Sequence, residues 1–358
     1  TDLGIERLGL ALAVYAPFGG QAKWDQNSDY EGDEQYPGAL DGPARWASIE
    51  GAQRVIYATL AGGYEVIPGK LSLGLGVNLV LSSLDLIRAR NVNGSDDLVV
   101  VSPSETRVAE GRSLLVASGT SVSASAGVLF NPNPAWRIGL SYQSQPGFGD
   151  TALSGTLTNK FGASPTTEQD IEFHQTLPDV VRLGVQYMPN EKLEIHAGVD
   201  YQRWSVFENQ CLLDATNPDA KCAVTDTGAV DVAGGGAGVI VNLPRDYDDT
   251  YGVRVGGSYW VTPCVSVMAG VAFDKNAVPD ATLEPALMDA NKVAIDVGAD
   301  IGVIGNLRVL VGLSQVEYGK RTIAPREVDP EPPSLNPDMA GTYATRVTLG
   351  TLGVGYTF

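Results

Sequence analysis

The chain has 358 residues, 42 of them glycine and two histidine, with 18% charged residues and a formal net charge of -18. Soluble proteins carry about 25% charged residues, and a nucleic-acid partner needs a basic face that so acidic a chain does not offer. A mean hydropathy of -0.01 at this length fits one large closed sheet better than two soluble domains.

The first strand is expected from about Ile5 to Ala16, with Leu8, Leu10, Leu12 and Val14 on one parity. It is expected to end at Pro17-Phe18-Gly19-Gly20, because proline donates no ladder hydrogen bond. A polar loop follows, and then a second strand over about Ala52 to Val66 that turns at Pro68-Gly69. In the third strand Leu71, Leu73, Leu75, Val77, Leu79 and Leu81 alternate with small or polar residues. Soluble strands average five or six residues, whereas a tilted membrane strand needs about 9–11.

Further alternating runs begin near Val122, Trp136, Val181, Leu193, Val253, Val265, Val293 and Leu307. The last strand ends Leu352, Val354, Tyr356, Phe358, and an aromatic carboxy-terminal residue suits a girdle at the periplasmic rim. Val255 to Phe273 has nearly the length of a membrane helix, but Gly256, Gly257, Pro263 and Gly270 interrupt it. It reads as two strands joined at Thr262-Pro263.

Tight turns alternate with long loops at about residues 17–50, 88–118, 144–176, 205–250, 275–291 and 318–343. Outer-membrane barrels have short periplasmic turns and longer external loops. The expected fold is therefore all-β: a transmembrane antiparallel β-barrel of twelve strands, one domain over residues 1–358, in the bacterial outer membrane. The opposite parity supplies a lumen that includes Arg182, Glu194, His196, Asp200, Arg254, Asp300 and Arg308, whose charges can pair across water.

Cys211 and Cys222 lie close together in a polar stretch and are expected to form a disulfide, leaving Cys264 alone. The chain does not open on Met, and an export signal is expected to have been removed already. No cysteine or histidine cluster has metal-ligand spacing, so neither metal nor cofactor is expected. Asp25, Asn27, Asp29 and Asp33, and Asp246, Asp248 and Asp249, could hold a divalent cation among lipopolysaccharide phosphates, but read better as solvated surface. His196 and Asp200 share a face but lie four residues apart, about 13 Å along one strand. With no nucleophile motif, an enzyme is not expected.

Several ordered motifs resemble the outer-membrane long-chain fatty acid transporter family (FadL-like). They are L-P-R-D-Y-D-D-T-Y-G-V-R-V-G-G-S-Y from Leu243, A-G-V-A-F-D-K-N-A-V-P-D from Ala269, and L-M-D-A-N-K up to Lys292. Leu177-Pro178 and Asp200-Tyr201-Gln202-Arg203-Trp204-Ser205 add to the likeness. The resemblance implies fourteen strands and an amino-terminal hatch. The first strand here looks like the family's third, so the hatch and two strands are expected to be missing from the sequence. The alternative is a divergent barrel of twelve.

The family's third strand carries a kink that opens a lateral window, and this matches Ala16, Pro17, Phe18 and Gly19. The resemblance also implies capture of a hydrophobic ligand between two external loops. Val99, Val100, Val101, Leu114 and Leu115 lie in one such loop, and Phe148, Leu153 and Phe161 lie in the next. Inward parity adds Tyr15, Leu129, Trp204, Met268, Leu310, Val347 and Leu349 as candidate lumen contacts.

The expected function is passive transport of long-chain fatty acids or similar hydrophobic molecules, with capture at the loops and lateral release. A polar diffusion channel, or a structural barrel docking a protein partner, are the alternatives. The expected partners are a fatty-acid-like small molecule, outer-membrane lipid and lipopolysaccharide.

Overall fold

The computed structural model describes residues 4–33, 37–91, 110–162, 164–222, 238–323 and 340–356. The strands are β1 (Leu8–Lys23), β2 (Glu50–Ile67), β3 (Leu71–Asn91), β4 (Glu110–Asn133), β5 (Trp136–Gln143) and β6 (Asp150–Phe161). They continue as β7 (Thr167–Thr176), β8 (Val180–Asn190), β9 (Leu193–Gln202), β10 (Asn209–Asp214), β11 (Val239–Pro244) and β12 (Thr250–Thr262). The last are β13 (Val265–Asp274), β14 (Lys292–Ile304), β15 (Leu307–Tyr318), β16 (Arg321–Ile323), β17 (Gly341–Tyr343) and β18 (Arg346–Tyr356).

Twelve of these form a continuous antiparallel wall in the order β1, β2, β3, β4, β5, β8, β9, β12, β13, β14, β15, β18. The expected wall count is thus met, and the further strands arise from segments that read as loops. β6, β7, β10 and β11 branch from the upper part of β4 as an external sheet, which corrects the reading of 144–176 and 205–250 as plain loops. The span 88–118 is likewise shorter as a loop, since β3 runs to Asn91 and β4 starts at Glu110. Alternation hid these extensions because, above the membrane, both faces of a strand can be polar. β16 and β17 pair within 318–343. Among the described residues no ladder joins β1 to β18, although both contribute to one cavity.

The outer face follows the alternation. Leu12, Leu75 and Leu352 are 84%, 73% and 75% exposed, far too much for the core of a soluble sheet. The apolar band has aromatic residues at both edges. Trp136 stacks on Tyr187 at 4.3 Å near the short turns, with Tyr259 and Tyr356 at the same rim. Tyr142, Tyr201 and Tyr251 mark the upper rim. Tyr251 and Tyr259 are eight residues apart on β12, about 26 Å before tilt, close to the ~25 Å apolar band of such barrels. Outward charges resume just above, where Arg54 pairs with Asp85 at 3.3 Å.

The lower lumen is polar and its charges are paired. Arg308 holds Asp300 at 3.0 Å and His196 meets Glu194 at 2.7 Å. Higher up, Thr59 Oγ1 donates to Asn78 at 2.6 Å, and Asn78 Nδ2 donates to Ser123 at 2.8 Å.

The first strand does not end at Pro17, a correction to the sequence reading. Tyr15 pairs with Tyr57 and Phe18 with Val55, so Ala16 and Pro17 together oppose Ile56 alone. This is a bulge, and it lets the strand continue to Lys23 while leaving the proline outside the ladder. The extra residue also reverses the parity. Phe18 belongs to the outward series of Leu12 and Val14 by count, yet it lies beside inward, fully buried Val55 and Tyr57. Gly19 completes the bend at φ +131°, where a Cβ would stand 2.5 Å from the Gln53 carbonyl oxygen.

In the external sheet, Cys211 on β10 is bonded to Cys222 with Cα atoms 5.9 Å apart. Its ladder neighbour His174 places Nδ1 2.6 Å from Asp150 and Nε2 3.5 Å from Glu172. The hydrogen bond to Asp150 raises the His174 pKa above 6.5 against the opposing effect of burial. A raised folded-state pKa means the contribution is fully present below about pH 6.5 and fades as pH rises through the folded value. Protease resistance of the β6–β7 hairpin in the intact barrel is expected to fall on going from pH 6 to pH 9. His174→Gln should flatten that dependence; an unchanged slope would refute the coupling.

Candidate functional site

Above the polar lumen lies a cavity of about 730 Å³. Its wall comes from the bulged part of β1, the upper inward face of β3, the external sheet, and the segment 275–291 folded into the mouth. That segment is fixed from β16: Arg321 donates to the Asp289 carbonyl at 2.9 Å and to Asn276 at 3.2 Å, and pairs with Asp280. Val278 and Leu283 are thereby buried under the mouth with Leu177, Phe207 and Tyr247.

Aromatic rings converge on one side of the cavity. Phe18 meets Trp204 edge-on at 5.8 Å, Trp204 meets Phe207 at 5.9 Å, and Phe207 lies 4.8 Å from Tyr247. The Tyr15 and Tyr57 rings stack below them at 5.5 Å, and Tyr15 donates to Gln143 across the lumen at 3.3 Å. Burial pushes the Tyr247 hydroxyl pKa upward, so it stays neutral. The opposite side is mostly aliphatic, built from Leu84, Leu115, Leu157 and Leu212 with one ring, Phe173.

One charge stands out. Besides Asp85, whose carboxylate turns outward to Arg54, the cavity carries Arg88, Arg245, Arg254, Asp274, Lys275, Glu284, Asp289 and Lys292. Arg245 pairs with Glu284 at 2.7 Å, Lys292 with Asp289 at 3.3 Å, and Lys275 donates to the Asp249 carbonyl at 2.9 Å. Arg254 holds Asp274, and Arg54 holds Asp85. Among the described residues Arg88 has neither an ion pair nor a hydrogen bond. Burial, then the neighbouring Arg90 charge, pushes its pKa down to about 10 against the attraction of Glu284, whose carboxylate is bonded to Arg245, so Arg88 remains a cation at neutral pH. An apolar chamber with one unpaired guanidinium suits a hydrophobic body carrying an anionic end.

The residues singled out from sequence divide. Pro17, Phe18, Gly19, Leu115, Trp204 and Val347 line the cavity. Leu114 and Leu115 lie in β4 rather than in a loop, so their side chains point opposite ways and Leu114 is on the outer face. Leu153 is 2% exposed and packs into the external sheet behind the lining. Phe148 is exposed in a short turn, and Phe161 ends β6 opposite Gly111; both lie away from the cavity. Ala16 sits on the bulge without lining the chamber. Tyr15 is beneath it, while Leu129, Met268, Leu310 and Leu349 are on wall strands outside it. Val99, Val100 and Val101 fall outside the described residues. Sequence reasoning missed Arg88, Phe207, Tyr247 and the 275–291 lining. Only Arg88 had a signal, as the inward continuation of Leu84 and Leu86.

A barrel whose mouth is an apolar chamber and whose lower half is a paired polar lumen differs from an open water-filled pore. The family described as Outer membrane protein transport protein (OMPP1/FadL/TodX) matches residues 5–358. The chain belongs to this family. It is an outer-membrane β-barrel protein of a transport family. Outer membrane protein P1 of Haemophilus influenzae is 24% identical over 373 residues, covering 99% of this chain and 72% of that protein. The 47 kDa outer membrane protein of Pasteurella multocida is also 24% identical, over 55% of this chain and 44% of its own length.

The fold agrees with solved barrels. A Pseudomonas aeruginosa FadL homologue superposes with a TM-score of 0.76 at 16% identity, over 98% of this chain and 75% of that one. The toluene transporter TodX of P. putida gives 0.61 at 14% identity, over 99% and 80%. TodX is named a transporter, and the matched family is described as a transport protein.

Proposed function

We propose that this family member takes up a long-chain fatty acid or a similar single-tailed anionic amphiphile, and releases it sideways through the wall at the β1 bulge. The observation that carries the reading is unpaired Arg88 inside a 730 Å³ apolar chamber that extends to Pro17–Gly20. A toluene-sized ligand would leave most of that volume empty and give the guanidinium nothing to bind. Lateral release follows from polarity. Beneath the chamber an apolar tail meets Tyr15, Gln143, Thr59, Asn78 and Ser123 in mutual hydrogen bonds. Breaking that network for an apolar group is unfavourable, whereas the bulge at Ala16-Pro17 interrupts the β1–β2 ladder in the wall beside the chamber.

The test is saturable binding to the full chain in detergent micelles, comparing oleate, oleyl alcohol and toluene. Oleate is expected to bind tightest. Arg88→Leu should weaken oleate by about 1.5–3 kcal/mol, roughly 10–150-fold, and leave oleyl alcohol little changed. Passage of sugars and ions into liposomes with no saturable oleate binding would refute the proposal and favour a polar channel.

A further inference from the structure

The bulge in β1 does more than bend the wall: it turns the Phe18 ring inward to line the chamber. Phe18 is the large, rotatable side chain at the bend, next to the fixed ring of Pro17, the methyl group of Ala16 and the bare Gly19 and Gly20. Its ring is not loose. It rests against Trp204 at 5.8 Å and Tyr57 at 6.4 Å, both edge-on, so it is held from above and from below.

We propose that Phe18 is the width-setting residue of the exit, swinging off Trp204 to admit a single flexible chain and excluding ligands with a broad rigid end. This rests on the lateral-release reading and adds to it a specificity residue. The chemistry is consistent, since edge-on aromatic pairs contribute only about 0.5–1.5 kcal/mol beyond their burial. An entering tail can replace such a contact with its own at little cost. The neighbouring Gly20 supplies an independent probe, because a Cβ there meets nothing within 4 Å. A large side chain at position 20 therefore narrows the passage without disturbing the bulge.

The experiment measures uptake of radiolabelled oleate and of pyrenyl-dodecanoate by a Gram-negative host lacking its own fatty-acid uptake barrel. Each rate is normalised to ligand bound by the purified full-length variant. Phe18→Ala should raise the pyrenyl-to-oleate uptake ratio about tenfold, and Phe18→Trp should lower it. Phe18→Leu, expected to be intermediate, keeps the series readable if alanine disturbs packing. Gly20→Phe should suppress uptake of both ligands. An unchanged ratio across the Phe18 series, with Gly20→Phe still blocking, would overturn the role of Phe18 while leaving lateral exit standing. Normal uptake by folded Gly20→Phe would overturn lateral exit itself.

Discussion

Glu110→Ala is expected to destabilise the attachment of the 24–49 loop by about 3–5 kcal/mol, the cost of leaving a buried cation without its partner. Glu110 and Arg45 have side chains only 7% and 8% exposed and are joined at 3.0 Å. The contact is bidentate, because Arg45 Nη2 also donates to the second carboxylate oxygen at 3.3 Å. Arg112 donates to the same carboxylate at 2.7 Å and carries the network on to Asp41. Removing Glu110 leaves Arg45 with the Gly42 carbonyl at 2.9 Å and the Trp46 ring face at 4.8 Å. Neither neutralises it.

The loop it secures runs from the end of β1 to the start of β2, and its Trp24, Ala47 and Ser48 line the cavity. Limited trypsin digestion of the folded barrel should therefore cut faster at Arg45 in the variant, with the wall strands still protected. Digestion at the wild-type rate would show that the network is not what holds the loop. Glu110→Gln should give a smaller effect, because the amide still accepts hydrogen bonds.

Val77→Arg is expected to cost about 2–4 kcal/mol of barrel stability in lipid. Val77 is 63% exposed on the outer face of β3, between Leu75 and Leu79, near the middle of the apolar band. Its ladder partners are Leu60 and Ala124, neither of which offers a counter-charge. The control is His196→Arg on the inward face of β9, where Glu194 stands 2.7 Å from the existing ring and remains available to pair. That change should be nearly neutral. Urea unfolding in lipid vesicles measures both, and equal losses at the two positions would refute the assignment of faces.

The sequence alone determined the wall. Lipid admits only apolar groups on one face of every spanning strand, so the period of two is written into Leu71–Leu81 and Leu352–Tyr356. The five tight turns were legible for a related reason, since Pro68-Gly69 or Gly305-Asn306 cannot continue a ladder. The interior carried no such constraint. A lumen residue can be charged, small or apolar, so inward parity gave seven lumen candidates of which Trp204 and Val347 reach the chamber.

Tertiary structure decided the rest. The bulge at Ala16-Pro17 turned Phe18 from the lipid side to the lumen, a reversal that counting residues cannot foresee. Extension of β4 upward beyond its expected start near Val122 separated Leu114 from Leu115, one outside and one inside. The site itself joins Phe18, Arg88, Trp204, Phe207, Tyr247 and the 275–291 segment, which are remote in sequence. Their meeting depends on how the wall curves and which loops fold into its mouth. Local alternation reports which medium a strand faces; only closure of the chain in space reports which side chains share a cavity.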